Sequence, residues 1–321
     1  MTLDREQPPL SRTSGGSAQN AWCLRLPRGR RLEIGARPVI AAVINCTPDS
    51  FSDGGVHGQP DAAVRAGMEM LRAGADWLDV GGESTRPGSL PVPAAEQLRR
   101  ILPVIQGLRA GTDAPISVDT MDPEVGVGAL DAGADIVNDV SGLRNPGWRA
   151  VLEARDVPVV IAHMQGTPLD MQVSPEYPEG VTVAVRTYLE ARLGALEAWG
   201  IGRERLILDP GLGFGKRLED NLELIRNIDI LRDLGRPILI GASRKGFIGK
   251  ILGPGFLPLP PGAEGAQSAP GGTGADIGTL IVNAIAIFRG ANVLRVHHVG
   301  HASALVKMLS AVMGQGAACK S

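Results

Sequence analysis

The sequence predicts an α/β protein built as a single (β/α)₈ barrel with an N-terminal hairpin extension. Three observations carry the prediction. Short apolar runs alternate with helical patterns eight times between residues 38 and 313. The joints from helix back to strand are brief and glycine-containing: Ala73-Gly74-Ala75-Asp76, Ala132-Gly133-Ala134-Asp135 and Arg289-Gly290-Ala291-Asn292. A polar or charged residue follows every apolar run at its C-terminal end, where a barrel of this type carries its active site. Eight βα units with short joints fit a closed barrel better than an open doubly wound sheet.

Taken in order, residues 1–20 are rich in Ser, Gly, Pro and Gln and read as a disordered tail. Residues 21–37 hold two short apolar stretches around Pro27-Arg28-Gly29-Arg30 and read as a hairpin. The barrel is expected over 38–315, with strands at 38–44, 77–80, 116–119, 136–140, 158–163, 206–209, 237–241 and 292–296. Continuous apolar runs of this kind suit strands buried on both faces. Helices are expected at 61–73, 93–110, 123–132, 147–155, 182–199, 221–232, 276–289 and 302–313. The Gly-, Pro- and Ala-rich stretch 253–274 reads as a flexible insertion.

Composition narrows the function. Hydrophobic residues make up 44% of the 321 and aromatic residues only 3%, so aliphatic side chains must fill the core. A formal net charge of −2 supplies no dominant basic surface, which argues against nucleic acid or membrane as a partner. The three cysteines, Cys23, Cys46 and Cys319, form no CxxC pair and suggest no disulfide framework. No apolar run approaches the roughly 18 residues of a membrane span, and a cytoplasmic protein is expected. HExxH and clustered-His spacings typical of zinc are missing.

At the strand ends, Arg86, Lys245, Arg295 and His297 offer positive charge or donors for a phosphate or carboxylate. Asp119, Asn138 and Asp209 offer acceptors and an amide for a flat heterocycle bearing several N–H groups. Gly211-Leu212-Gly213-Phe214-Gly215-Lys216 lacks the Walker spacing and reads as a flexible loop. Asp139 reads as a turn former, and His57 and His301 as surface residues.

Two strand-end segments are more specific. Asn45-Cys46-Thr47-Pro48-Asp49-Ser50-Phe51-Ser52-Asp53-Gly54-Gly55 and Asp79-Val80-Gly81-Gly82-Glu83-Ser84-Thr85-Arg86-Pro87-Gly88 resemble the dihydropteroate synthase family. So do 163–166, 208–214, 241–247 and 295–297, and the resemblance covers nearly the whole barrel. It implies a reaction in which 4-aminobenzoate displaces pyrophosphate from a pterin diphosphate, in a homodimer inhibited by sulfonamides. It implies that Asn45 holds Mg²⁺ against the diphosphate, and that Asp119, Asn138, Asp209 and Lys245 bind the pterin. Thr85, Arg295 and His297 would meet the diphosphate, and Asp49, Phe51 and Arg86 would close over the second substrate. Ser243 and Gly246 would receive the carboxylate of 4-aminobenzoate at the start of a short helix. His298 departs from the family, which usually has Asp there, and Gly246 stands where Ser is frequent. A corrinoid-linked pterin methyltransferase and a low-activity pterin-binding paralogue are the competing readings. The methyltransferase has no need of the 47–55 loop that this chain carries.

Overall fold

The computed structural model describes residues 21–47, 55–253 and 274–313, with no side-chain detail for 55–59. The tail 1–20 and the insertion at 254–273 lie outside the described residues, as do Asp49 and Phe51. The hairpin forms as expected from β1 (Trp22–Arg25) and β2 (Arg31–Ile34), paired antiparallel. An eight-stranded parallel sheet follows, in the order β8-β7-β6-β5-β4-β3-β10-β9. Its strands are β3 (Val39–Asn45), β4 (Trp77–Gly81), β5 (Ile116–Asp119), β6 (Ile136–Asp139), β7 (Val159–Ala162), β8 (Leu206–Asp209), β9 (Leu239–Ile240) and β10 (Val293–Val296). A parallel bridge between Leu208 and Ile238 joins the two edges and closes the barrel. The Leu208 N–H donates to the Pro237 carbonyl at 2.9 Å across that seam.

Helices α1 (Gly55–Arg72), α2 (Ala94–Gly111), α3 (Pro123–Ala132), α4 (Trp148–Ala154) and α5 (Val181–Ala198) alternate with the first six barrel strands. The helix expected at 221–232 is two, α6 (Leu218–Arg226) and α7 (Ile228–Arg232). The break falls at Asn227, whose φ of −120° and ψ of 25° leave the helical region while its backbone N–H still donates to the Glu223 carbonyl at 3.1 Å. Short α8 (Gly246–Leu252), then α9 (Gly274–Phe288) and α10 (Val299–Val312), complete the ring. The glycine joints behave as their residue type dictates. Gly74, Gly133 and Gly290 have φ of 106°, 119° and 101°, and Gly133 ends α3 in the left-handed conformation open to a residue without Cβ.

Period-two alternation divides each strand between an outer face, packed on the helices, and the barrel interior. The interior changes character along the axis. At the N-terminal end Val39, Ala41, Trp77, Ile136, Val160, Ile207, Leu239 and Val293 form a dry layer, and Leu24, Leu26, Leu32 and Ile34 of the hairpin pack onto it as a plug. Two residues further along the same strands stand Asp79, Asn138, Asp209 and Arg295, and β5 adds Ser117 and Asp119, all buried or half-buried.

The plug is held by charge as well as by apolar contact. Asp135, fully buried, takes Arg28 and Arg109 at 2.6 Å each, and Arg30 as a third guanidinium partner. The Ile116 N–H donates to the same carboxylate at 3.1 Å. Three arginines from two elements therefore meet one carboxylate beneath the barrel floor. Asp135→Asn strands those charges while keeping the shape, and should lower stability by about 3 kcal/mol. Urea unfolding of the variant checks this; an unchanged midpoint would mean the hairpin is held by apolar burial alone.

Candidate active site

Four successive strands bring one row of residues to the C-terminal mouth. In register, Asn45 pairs with Gly81, Gly81 with Asp119, and Asp119 with Asn138. Asp209 ends β8 opposite Ala162, and Arg295 rises from β10, two positions before His297. Strand register thus assembles residues far apart in sequence.

At the centre lies a cluster with one partner that sequence reasoning passed over. Arg295 Nε donates to Asp79 Oδ2 at 2.6 Å, and Arg295 Nη2 donates to Asp119 Oδ2 at 2.5 Å. Asp79 also accepts from the Ser117 hydroxyl and from Asn138 Nδ2 at 3.2 Å. Asp79 therefore orients both the cation and the amide of the site from below. A charged residue inside the apolar run Trp77–Gly81, two positions before the mouth on the inward face, was the available signal.

The other oxygen of Asp119, Oδ1, is buried without a protein partner among the described residues. Burial raises this carboxyl to about 7, against the pull of Arg295. Burial also raises Asp209, whose Oδ1 accepts the Gly211 N–H at 2.7 Å. Lys245 is drawn down to about 8, mainly by burial and then by Arg295. Its ammonium sits 3.6 Å from the centroid of the Phe214 ring, a cation–π contact that aims it across the mouth. His297 is pushed down to about 3 by burial, with Arg295 adding, and stays neutral at physiological pH. Its Nδ1 lies 2.9 Å from Ser243 Oγ.

The remaining sequence candidates are at the rim. Asn45 and Thr85 are half-buried and Arg86 is exposed, with its charge felt at His297. Gly246 is exposed, and a Cβ there would meet no atom within 4 Å. The helix it opens has only seven residues, so the dipole expected to help an anion is small. His298 caps α10, its ring nitrogen accepting the His301 N–H at 3.3 Å.

Two readings are corrected. The 211–216 loop is not flexible: Lys216 is buried and donates to the carbonyls of Gly211 and Phe214 at 2.9 and 3.0 Å, with His163 Nδ1 also at 2.9 Å. A lysine with that many fixed acceptors pins the loop to the end of β7. His301 is not a surface residue: it is half-buried, stacked on His298 at 3.7 Å, and its Nδ1 is buried. Asp139 does form a turn, accepting the Ser141 N–H at 2.6 Å.

The pterin binding enzyme family matches residues 41–297. A dihydropteroate synthase from Synechocystis is 39% identical over 289 residues, 89% of this chain and 94% of the relative. The solved Xanthomonas albilineans dihydropteroate synthase with 4-aminobenzoic acid superposes with a TM-score of 0.81 at 40% identity, covering 92% of this chain and 99% of that one. A Yersinia pestis dihydropteroate synthase in complex with a sulfonamide drug gives 0.80 at 35% identity, covering 91% and 99%.

Gly211 is where the floor of the site tolerates least change. Its φ is +70°, and a Cβ there would stand 1.9 Å from the His163 carbonyl oxygen. Gly211→Ala should therefore cost roughly 2–3 kcal/mol and misplace Asp209, seen as a lower urea midpoint with weakened ligand binding. A variant of full stability would show that the loop relaxes freely.

Proposed function

The chain belongs to the dihydropteroate synthase family of pterin-binding enzymes, and from that premise we propose that it joins a dihydropterin methyl diphosphate to 4-aminobenzoate, releasing pyrophosphate. The observation that carries the proposal is the pairing of two chemically distinct ends in one mouth. Asp119, Asn138, Asp209 and Lys245 suit a ring with amino and ring N–H donors and a carbonyl. Arg295, His297, Thr85 and Arg86 suit the diphosphate, and the two ends meet at the Arg295–Asp119 contact.

The reaction is a displacement at the methylene carbon. The carbon–oxygen bond to the diphosphate breaks, the arylamine nitrogen forms the new bond, and that nitrogen then loses a proton to solvent. No nucleophile on the protein is needed. The carboxylates of Asp119 and Asp209 stabilise positive charge building on the pterin, while Arg295 and the neutral His297 donate to the departing oxygens. Because Asp79 and Asp119 hold Arg295, little reorganisation accompanies that charge transfer.

Among the described residues no three His, Cys, Asp or Glu side chains cluster as a metal site. Asn45 alone, half-buried at the mouth, suits a hydrated Mg²⁺ shared with the diphosphate. Bound there, the ion would neutralise charge on the leaving group. Asp49 and Phe51, with Arg86, are assigned to closing the first two loops, and the backbone N–H groups of Ser243 and Gly246 to the carboxylate of 4-aminobenzoate. Among the described residues no helix is long and apolar enough to cross a membrane; the enzyme is assigned to the cytoplasm.

The assembly is proposed to be a homodimer through α9 and α10. Ile277, Ile281, Ile285 and Phe288 recur at helical spacing on one face of α9, each 43–61% exposed, and Met308 and Val312 extend the exposed surface on α10. The inner face of α9, with Ala275, Gly278, Thr279 and Ile287, is buried within the subunit. Light scattering should give a dimer for the wild type and a monomer for Ile281→Asp; a monomeric wild type would remove the interface.

Pyrophosphate release from the pterin diphosphate, measured with and without 4-aminobenzoate, tests the activity. Release should require 4-aminobenzoate, and sulfonamides should inhibit it competitively. Absence of turnover would leave a pterin-binding paralogue; inhibition indifferent to 4-aminobenzoate concentration would separate the two sites.

The raised carboxyl of Asp119 gives a pH signature. Below about 7 it takes up a proton and loses acceptor capacity, so affinity for a pterin lacking the diphosphate should be higher at pH 8 than at pH 6. Asp119→Asn should flatten that dependence and weaken binding by roughly 1.5–3 kcal/mol. Calorimetry at both pH values reads this, and equal wild-type affinities would take Asp119 out of ring recognition.

A further inference from the structure

Behind Ser243 lies a small cavity between β10, α9 and α10, with apolar wall from Leu280, Val296 and Ala302 and polar groups from Ser243, Asn283 and His301 among others. Of its lining, only Ser243 enters the chemistry above. Asn283 is 1% exposed, and neither its Nδ2 nor its Oδ1 has a partner among the described residues. His301 Nδ1 is also buried and unpartnered there. Three buried polar atoms in one region are costly unless something satisfies them. The cavity has room for about one water molecule, and its wall offers the two or more polar partners an internal water needs.

We propose that this cavity is an internal-water site, and that Asn283, through the water, positions His297 by fixing which ring nitrogen carries its proton. Ser243 Oγ has one proton to give and two lone pairs to share. One lone pair accepts the backbone N–H of His297 at 3.2 Å. The same oxygen lies 2.9 Å from His297 Nδ1, a contact that either atom could donate. A water that accepts from Asn283 Nδ2 has protons to direct at Ser243 Oγ and at His301 Nδ1. Once it occupies the second lone pair of Ser243, the hydroxyl proton alone remains to face Nδ1. His297 then carries its hydrogen on Nε2, as a donor. An acceptor in the cavity would reverse the chain, drawing the Ser243 proton inward and leaving Nε2 bare. The other charged or titratable neighbours do not disturb this order: Asp276 is engaged by Arg244 at 2.9 Å, and His298 is committed to capping α10.

The catalytic relevance of the tautomer rests on His297 meeting the diphosphate, but the tautomer itself does not. It is therefore read in ligand-free enzyme, by long-range proton–nitrogen correlation spectra of ¹⁵N-histidine-labelled protein, with His297→Gln to assign the resonance. The wild type should show Nε2–H. Asn283→Leu, which fills the site with an apolar chain, should convert His297 wholly or partly to Nδ1–H and lower kcat at least threefold. Asn283→Ser, which keeps a donor and room for water, should retain the wild-type tautomer. A wild-type His297 found as Nδ1–H overturns the proposal even if Asn283→Leu does not fold. So does an Asn283→Leu spectrum identical to wild type. Loss of turnover in Asn283→Leu with an unchanged tautomer also overturns it, since Asn283 would then act by another route. A wild-type enzyme without turnover but with the predicted tautomer shift would instead remove the activity and leave the water site standing.

Discussion

Arg295 is the residue on which the upper barrel depends. A guanidinium inside a barrel is costly unless its charge is met, and here Asp79 and Asp119 meet it at 2.6 and 2.5 Å. The two carboxylates in turn depend on it, since without the arginine they would stand buried and close together. Asp79 has further partners in Ser117 and Asn138 and is the fixed end of the cluster. Asp119 keeps one oxygen free of protein partners among the described residues and is the working end. Asp79 thus supports the geometry, and Asp119 passes it to a ligand.

The two ends of the barrel divide the labour of stability and function. The floor is apolar, plugged by the hairpin and tied by three arginines to Asp135. That dry layer lets the mouth hold many polar groups whose desolvation works against folding. The 211–216 loop shows the same division on a smaller scale, because Lys216 ties it down from beneath while Phe214 and Asp209 face upward to work with Lys245.

Most of this was legible in the residues. Alternation of apolar runs and helical patterns implied the barrel, and polar residues at the strand ends implied the mouth, because both follow from the two-residue and 3.6-residue periods. Asp119, Asn138, Asp209, Lys245, Arg295 and His297 were visible because they interrupt apolar runs at their ends. Asp79 was hidden within a run, and only the inward register of β4 explains it. Lys216 and His301 were misread because a glycine-rich loop and a lone histidine look exposed until tertiary contacts are known. The break at Asn227 is one residue's departure from helical backbone angles, below the resolution of periodicity.

The central claim is that Asp79, bonded to Arg295, Ser117 and Asn138, sets the geometry of the groups proposed to meet the substrate. Asp79→Asn tests it most directly, because it keeps the shape and removes the charge. Losing the charged acceptor of a buried arginine should weaken the site by roughly 1.5–3 kcal/mol. The account predicts that kcat/KM for the pterin diphosphate falls by about 10- to 100-fold while the barrel remains folded by circular dichroism. Wild-type kcat/KM in a folded Asp79→Asn enzyme would contradict it, and would place the control of Arg295 with Asp119 alone.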